Sequence, residues 1–196
     1  MITVGVLALQ GAVAEHVAAL NKIENVNGIE VKTLAEIEQL DGLILPGGES
    51  TAMGKILNYF QMLEPLAEKI KQGLPVWGTC AGMILLAKQI VDQDTTYFKA
   101  MDTVVKRNAY GSQLDSFQTA IRLPEIAPTP IPLIFIRAPY IESVQADVKI
   151  LAKVADKIVA AEQENMLVTA FHPELTNDLS FHKYFCTKVL ASKQAS

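Results

Sequence analysis

The residues best suited to chemistry are a cysteine flanked by glycines and a histidine close to a glutamate. Cys80 lies at the centre of residues 78–82, between apolar runs at 74–77 and 83–87. A strand, a turn of small residues and a helix in this order are typical of the nucleophile elbow, in which a sharp turn exposes the nucleophile. The N-terminal N–H groups of the following helix would favour a thiolate and a developing oxyanion. Cys80 is therefore the candidate nucleophile.

A thiol nucleophile needs a base for its proton, and the base needs an acid that orients it. His172 follows the apolar run 167–171, and Glu174 comes two residues later. Residues i and i+2 of an extended segment point to the same side, so the Glu174 carboxylate can accept a hydrogen bond from the His172 imidazole. Alone, His-Pro-Glu also fits an ordinary exit from a strand. Combined with the elbow, it predicts a Cys80–His172–Glu174 triad.

The other cysteine and histidines lie in settings that favour other roles. Cys186 lies in a helical segment with no turn around it, and we expect it to pack in the core. His16, in the first predicted helix, is expected on the surface or in a groove, and His182, in the last helix, is expected to be exposed. Two cysteines in such different settings argue against a disulfide framework and fit a reducing compartment.

Acyl transfer also requires hydrogen-bond donors for an oxyanion. The elbow supplies the N–H of Ala81. A second donor must come from a neighbouring loop, and Gly47 and Gly48 in the segment 46–50 are the obvious candidates, because glycine lets the backbone approach a substrate closely. The segment can equally be a turn that leads into a helix cap, and the two interpretations are compatible.

Other classes of site are poorly supported by the sequence. Zinc deaminases combine His-x-Glu with Cys-x-x-Cys, which this sequence does not contain. The segment 47–51 lacks the lysine of a phosphate-binding loop and carries Glu49 where phosphates would lie. A net charge of −4 gives no reason to expect nucleic acid as a partner. We therefore expect no metal and no cofactor.

The first half of the chain alternates strands and helices. The apolar run 2–9 predicts a strand covered on both faces. Further strands are predicted at 31–34, 40–45 and 76–77. Helices are predicted at 12–23, at 63–72 and up to residue 60, the last with Ser50 or Thr51 as its N-cap. This alternation is typical of a doubly wound, mostly parallel α/β sheet with helices on both faces. The ligand crevice of such a sheet lies beyond the carboxyl ends of its strands, where Cys80 and His172 can meet.

The second half of the chain has short strand-like runs and little helix. The runs are at 104–105, 117–123, 132–136, 148–154, 158–161 and 167–171. They predict an antiparallel extension that leads back into the sheet, closed by a helix at 178–193. With 196 residues, half of them hydrophobic, the chain suits a single domain over 1–196.

The N-terminal run gives an expectation about location. It lacks the basic lead of a signal peptide, and it meets Gln10 and Gly11 too soon to span a bilayer. We expect a cytoplasmic protein with no membrane partner.

Several segments resemble a known family. Residues 78–82 and 171–174, with Pro46-Gly47-Gly48, resemble the class I (triad-type) glutamine amidotransferase domain. The sequence is more similar still to one branch of it, the glutaminase subunits of pyridoxal 5′-phosphate synthases, from about residue 2 to 189. The segments that carry this closer resemblance are 9–13, 45–51, 107–108, 113–117, 135–139 and 171–176.

The resemblance implies a glutaminase that works for a partner. Cys80 would attack the side-chain amide of L-glutamine to give a γ-glutamyl thioester, with His172 moving the protons and Glu174 orienting His172. Water would then release L-glutamate. The ammonia would pass to a synthase subunit that makes pyridoxal 5′-phosphate in vitamin B6 biosynthesis. In the family this glutaminase has little activity alone and docks on a core of twelve synthase subunits, which carries up to twelve glutaminases.

The resemblance also implies substrate contacts and shows two departures from the pattern. The implied contacts are Gly48, Glu49, Ser50, Arg107, Ile136 and Arg137. A guanidinium can hold the α-carboxylate of glutamine with two hydrogen bonds, although each arginine could instead form a structural ion pair. For Arg107, either the side chain or the backbone could make the contact. Ser112 replaces an expected arginine and Tyr140 a frequent histidine, which bears on partner affinity and substrate binding.

Two other interpretations stay open. A thiol hydrolase, or a glutaminase for a different acceptor, could be built on the same sheet, but the segments around Arg107 and Arg137 argue against it. A degenerate relative could bind and regulate a partner without catalysis, but the intact triad and elbow glycines argue against that.

Overall fold

The computed structural model of the protein describes residues 1–107 and 116–195. Its helices are α1 (Val13–Leu20), α2 (Leu34–Ile37), α3 (Ser50–Tyr59), α4 (Leu63–Lys71), α5 (Ala81–Leu86) and α6 (Ser180–Ala195). Its strands are β1 (Ile2–Leu7), β2 (Val26–Val31), β3 (Gly42–Leu45), β4 (Val76–Thr79), β5 (Ala87–Ile90), β6 (Met101–Lys106), β7 (Ser116–Ile121), β8 (Ile131–Ile136), β9 (Tyr140–Val144), β10 (Lys149–Val154), β11 (Lys157–Gln163) and β12 (Met166–Thr169).

The described strands form one large sheet and a small one. The large sheet has the order β2-β1-β3-β4-β12-β11-β9-β6-β5, with β10 paired to β11, and β7 and β8 form a separate antiparallel pair. The half from β2 to β12 is parallel, whereas β12, β11, β9 and β6 pair antiparallel. The predicted mostly parallel α/β sheet with an antiparallel extension is confirmed.

Helices cover the central strands from both sides. Trp77 in β4 contacts the aromatic rings of Phe181 and Phe185 in α6. Successive residues of a strand point to opposite faces, and a side chain added at Gly78 would meet the backbone of α5. The side chains of β3 and the apolar ones of β4 are accordingly buried, as expected for parallel strands covered on both faces.

The pairing of β4 with β12 brings two distant parts of the chain to the same edge. Thr79 pairs with Thr169, and the ladder continues with a hydrogen bond of 2.8 Å from the Cys80 N–H to the Thr169 carbonyl. Cys80 and His172 therefore leave the sheet side by side, as expected for residues that follow the ends of parallel strands.

The element bounds differ from the sequence predictions in a few places. The strand predicted at 31–34 lies at Val26–Val31, because Thr33 instead caps α2 through a capping box with Glu36. The strands β5 and β9 were not predicted, because polar residues interrupt their short apolar pattern. In the part of the chain that the structure describes, each helix is too short or too polar to cross a membrane.

Candidate active site

The turn between β4 and α5 has the geometry of a nucleophile elbow. Cys80 lies at φ 48° and ψ −99°, a strained conformation for a residue with a side chain. The close approach of α5 to β3 requires glycine at position 82, because a Cβ there would lie 2.1 Å from the Leu45 carbonyl oxygen. The thiol is 7% exposed and lines a cavity, so it is shielded from bulk solvent yet reachable by a small substrate.

His172 is held next to the elbow by backbone and side-chain contacts. Its backbone N–H donates to the Ile134 carbonyl of β8 at 2.8 Å, and its side chain lines the same cavity as Cys80. The imidazole fits here only because residue 47 is glycine, since a Cβ at that position would lie 2.4 Å from His172 Cε1. The chain then forms a 3-10 turn at Pro173–Leu175, which directs Glu174 back toward the imidazole.

Glu174 forms a short, buried hydrogen bond with His172. The His172 Nδ1–H donates to Glu174 Oε1 at 2.7 Å, and the Glu174 side chain is fully buried. Since Nδ1 is engaged in this way, Nε2 is the nitrogen left to face Cys80. The three residues therefore have the connectivity of a nucleophile, a base and an orienting acid.

The electrostatics of the site favour a charged imidazole. Burial by itself lowers the pKa of His172, but the hydrogen bonds and charges of Cys80 and Glu174 outweigh it and raise the pKa to about 10. His172 is therefore protonated at neutral pH. An imidazolium that lines the same cavity as a thiol carries a proton that it can give to a leaving group.

A cavity of about 510 Å³ opens above Cys80 and His172. All the residues that the sequence analysis named for substrate binding or the oxyanion hole contribute to its walls: Gly48, Glu49, Ser50, Ala81, Arg107, Ile136 and Arg137. Its walls combine apolar surface with charged and polar groups, and its volume suits a small, charged substrate of amino-acid size.

Arg107 meets the cavity through its side chain. Its guanidinium donates to Glu49 Oε1 at 3.1 Å, to Thr51 Oγ1 at 3.2 Å and to Gln93 Oε1 at 3.4 Å. Glu49 also caps α3 by accepting from the N–H groups of Thr51 and Ala52, so the prediction that Ser50 or Thr51 is the cap was wrong. Because the Arg107–Glu49 pair is partly exposed, it contributes little stability, and a ligand can replace it at little cost.

Arg137 follows β8 at φ 43°, in the left-handed region that residues with a side chain rarely adopt. Strained residues of this kind cluster at binding sites. Tyr140 lies three residues further on, at the start of β9, with the Lys157 ammonium 4.7 Å from the centre of its ring. Asn108, Ser112 and the predicted family segment 113–115 lie outside the described residues.

The sequence matches a known family over most of its length. The profile of the SNO glutamine amidotransferase family matches residues 6–191. The chain belongs to this family. It is 56% identical to "Pyridoxal 5′-phosphate synthase subunit PdxT" of Clostridium botulinum over 98% of this chain and 100% of that protein. It is 52% identical to the protein of the same name from Ruminiclostridium cellulolyticum, over 95% of this chain and 98% of that one. These matches confirm the resemblance to glutamine amidotransferases.

Solved structures agree with this family membership. A chain described as a glutamine amidotransferase superposes with a TM-score of 0.89 at 37% identity, over 95% of this chain and 98% of that one. A putative GMP synthase component from Thermoplasma acidophilum superposes with a TM-score of 0.70 at 17% identity, over 100% of this chain and 97% of that one. The second likeness shows a shared fold alone.

Two buried histidines lie behind the triad of this SNO family member. His16 and His182 are both 0% exposed, so the predictions that His16 lies on the surface or in a groove and that His182 is exposed were wrong. His16 Nδ1 lies 3.0 Å from His182 Nε2, and His16 Nε2 lies 3.3 Å from Thr79 Oγ1. One signal for this was available, because His16 lies four residues before Leu20 and so shares its buried helix face.

Burial keeps both of these histidines neutral. It lowers the pKa of His182 to about 4, against only a weak opposing charge from Asp178. It also lowers the pKa of His16, and the charges of His182 and His172 lower it further. Cys186 is buried nearby in α6, as predicted, and burial raises the pKa of its thiol to about 12.

The lowered pKa of His182 predicts a loss of stability in mild acid. The unfolded chain binds a proton on this residue below pH 6.5, whereas the folded chain does so only near pH 4, so stability is lost as the pH falls through this interval. We expect the free energy of unfolding to fall by about 2 kcal/mol from this residue between pH 7 and pH 5. Urea denaturation at both pH values, with wild type and His182→Gln, measures it. An equal loss in both proteins would contradict the prediction.

Proposed function

We propose that this SNO family member hydrolyses L-glutamine to L-glutamate and ammonia, with Cys80, His172 and Glu174 as its catalytic triad. The observation that carries the proposal is a shielded thiol that lines the same cavity as an imidazole whose Nδ1 lies 2.7 Å from a buried carboxylate. This group lies at the base of a cavity large enough for an amino acid. Membership of a glutamine amidotransferase family supports glutamine as the amide that enters it.

The first half of the reaction forms an acyl-enzyme. The Cys80 thiolate adds to the side-chain amide carbon of glutamine, and the carbonyl oxygen becomes an oxyanion. The N–H groups of Ala81 and Gly48, which both line the cavity, stabilise that oxyanion. The His172 imidazolium gives its proton to the amide nitrogen, the C–N bond breaks, and ammonia leaves behind a γ-glutamyl thioester.

The second half regenerates the enzyme. His172, now neutral, takes a proton from a water molecule, and the resulting hydroxide adds to the thioester carbon. Collapse of this second intermediate expels the Cys80 thiolate and releases the γ-carboxyl group of glutamate. The imidazolium is restored next to the thiolate. Throughout, the hydrogen bond to Glu174 holds the His172 ring in one orientation and stabilises its positive charge.

Residues of the cavity wall fit the two charged ends of the glutamine backbone. Arg137 and Arg107 can bind its α-carboxylate, and Glu49, which is already paired with Arg107, can bind its α-ammonium group. Ser50 and Ile136 complete the wall around the side chain. The buried Ser50 hydroxyl has no hydrogen-bond partner among the described residues.

The ammonia is proposed to serve a synthase subunit that makes pyridoxal 5′-phosphate. Support comes from relatives of 52–56% identity that are named as subunits of such a synthase and that this chain matches over nearly their full length. We further propose that the chain acts as a single domain and that up to twelve copies decorate a core of twelve synthase subunits.

We expect little glutamine hydrolysis by the chain alone and at least about a tenfold rise when the synthase subunit is added. The Gly47 carbonyl accepts from the Ala12 N–H at 3.3 Å, and Gln10 Oε1 accepts from the Glu49 N–H at 3.4 Å. These two long hydrogen bonds hold the loop that carries Gly48 in its present orientation. A docked partner that replaces them can shift the loop to a more active orientation. Glutamate release, measured with and without the synthase, tests this.

The same assay separates the activation from the reaction. Equal turnover with and without the synthase would remove the activation and leave the chemistry intact. No glutamate under either condition would overturn the proposed function.

Glutamine labelled with ¹⁵N in its amide, supplied with a pentose phosphate and a triose phosphate, should give ¹⁵N in the pyridoxal 5′-phosphate ring. Unlabelled product would overturn the proposed transfer of ammonia.

A further inference from the structure

Beyond Glu174, a line of close contacts between buried polar side chains continues into the protein interior. The second oxygen of this carboxylate, Oε2, lies 3.4 Å from His16 Nε2, and both side chains are fully buried. Beyond it, His16 Nδ1 lies 3.0 Å from His182 Nε2. The buried histidine pair, His16 on α1 and His182 on α6, thus lies on the opposite side of Glu174 from the cavity.

His182, the last residue in this line of contacts, determines which ring nitrogens carry protons. His182 Nδ1 is buried and has no hydrogen-bond partner among the described residues. A buried N–H without a partner is rarer than an unsatisfied acceptor, so a neutral His182 carries its proton on Nε2. That Nε2–H donates to His16 Nδ1, which must then be unprotonated. A neutral His16 therefore carries its own proton on Nε2, facing Glu174 and Thr79.

Glu174 needs the donor that this arrangement supplies. Its Oε2 is buried and accepts no well-directed hydrogen bond within the described part of the chain. His16 Nε2 already lies within hydrogen-bonding distance, at 3.4 Å, and a small rotation of its imidazole would direct the N–H at this oxygen. A buried carboxylate oxygen with no donor is costly, and a carboxylate held at one oxygen only can rotate away from its partner.

We propose that His16 and His182 are positioning residues of the triad. His182 fixes the tautomer of His16, His16 holds Oε2 of Glu174, and the carboxylate is thereby kept with Oε1 on His172 Nδ1. The inference rests on the proposed function, because its main readout is glutamine hydrolysis. It assigns to two core histidines a role that simple packing would not give them.

Two substitutions of similar size at His16 test this role. His16→Gln keeps an N–H donor at about the same reach, whereas His16→Leu fills the space without a donor. In the complex with the synthase subunit, we expect His16→Leu to lower kcat about 10- to 100-fold with little change in KM. Losses of this size are found when a residue that orients a metal-binding side chain by a hydrogen bond is removed. His16→Gln should keep most of the wild-type kcat, since rescue by a donor is not expected of a mere packing residue.

Variants at His182 test whether this residue acts through His16. His182→Leu should lower kcat in the same way and His182→Gln should not. The double variant, with leucine at both positions, should lose no more activity than His16→Leu alone, because the two histidines act in series. Cys186→Ala is the matched control. It removes a buried atom from α6 one turn after His182, and its kcat should equal that of wild type.

Three outcomes would overturn the proposal: wild-type kcat in His16→Leu, equal losses in His16→Gln and His16→Leu, or additive losses in the double variant. If the leucine variants do not fold, ¹⁵N chemical shifts of the wild-type histidines decide, because His16 must carry its proton on Nε2. A proton on Nδ1 would overturn it. If the wild-type complex hydrolyses no glutamine, the proposed function fails, and the tautomer of His16 still tests the inference.

Discussion

Replacing Cys80 by alanine should lower glutamate release in the complex with the synthase subunit by at least about 10³-fold. The alanine variant has no nucleophile to form the γ-glutamyl thioester, so water would have to attack the amide directly. Hydrogen-bond donors in the cavity can still polarise that amide, which leaves a small residual rate. Initial rates of glutamate formation at saturating glutamine measure the loss.

The alanine variant should still fold and bind its ligands. Alanine at position 80 meets the same backbone conformation as cysteine and leaves the rest of the elbow unchanged. Glutamine binding, followed by calorimetry, and association with the synthase should therefore be close to wild type. Mass spectrometry after an acid quench should find an acyl adduct on the wild-type chain and none on the variant. Full activity in Cys80→Ala would show that the Cys80 thiol is not the nucleophile.

The proximity of Cys80, His172 and Glu174 could be predicted because it follows from the topology of a parallel sheet. Small residues around Cys80 predict a sharp turn after a strand, and the apolar run before His172 predicts another strand end. Such ends share one edge, and β4 and β12 prove to be adjacent. Local spacing then placed Glu174 within reach of His172. None of these steps needs the positions of individual side chains.

The buried histidine pair was missed because it depends on packing between distant elements. Histidine counts as polar in a hydrophobic pattern, and α1 and α6 lie far apart in the sequence. Their histidines meet only because both helices pack against Trp77, whose indole contacts each imidazole edge-on. A one-dimensional pattern cannot show that two polar groups on separate helices satisfy each other.

The cap of α3 shows a second limit of sequence patterns. Serine, threonine and aspartate are the usual capping residues, so Ser50 or Thr51 was the natural prediction. Glu49 takes this place because its longer carboxylate also reaches the Arg107 guanidinium, which follows β6. The Glu49 carboxylate therefore has partners in the α3 backbone and on a distant strand end, and the sequence shows only the first of these.

Replacing His172 by asparagine should lower kcat by at least about 10³-fold, because the residue both stabilises the thiolate and moves the protons. Asparagine keeps a polar group near Glu174 but cannot hold a transferable proton. The double variant Cys80→Ala/His172→Asn should be no slower than Cys80→Ala, because a base is useless once its nucleophile is gone. Glutamate release by the three variants with the synthase present measures this non-additivity.

Alkylation of Cys80 separates the loss of the ion pair from a general disturbance of the site. In the proposed mechanism His172 takes the Cys80 proton, so iodoacetamide, which reacts with the deprotonated thiol, should modify Cys80 more slowly in His172→Asn than in wild type at pH 7. Cys186 is an internal control, because burial raises the pKa of its thiol to about 12 and it should stay unmodified in both proteins. Equal modification rates at Cys80, measured by peptide mass spectrometry, would mean that His172 does not activate the thiol, whatever its effect on kcat.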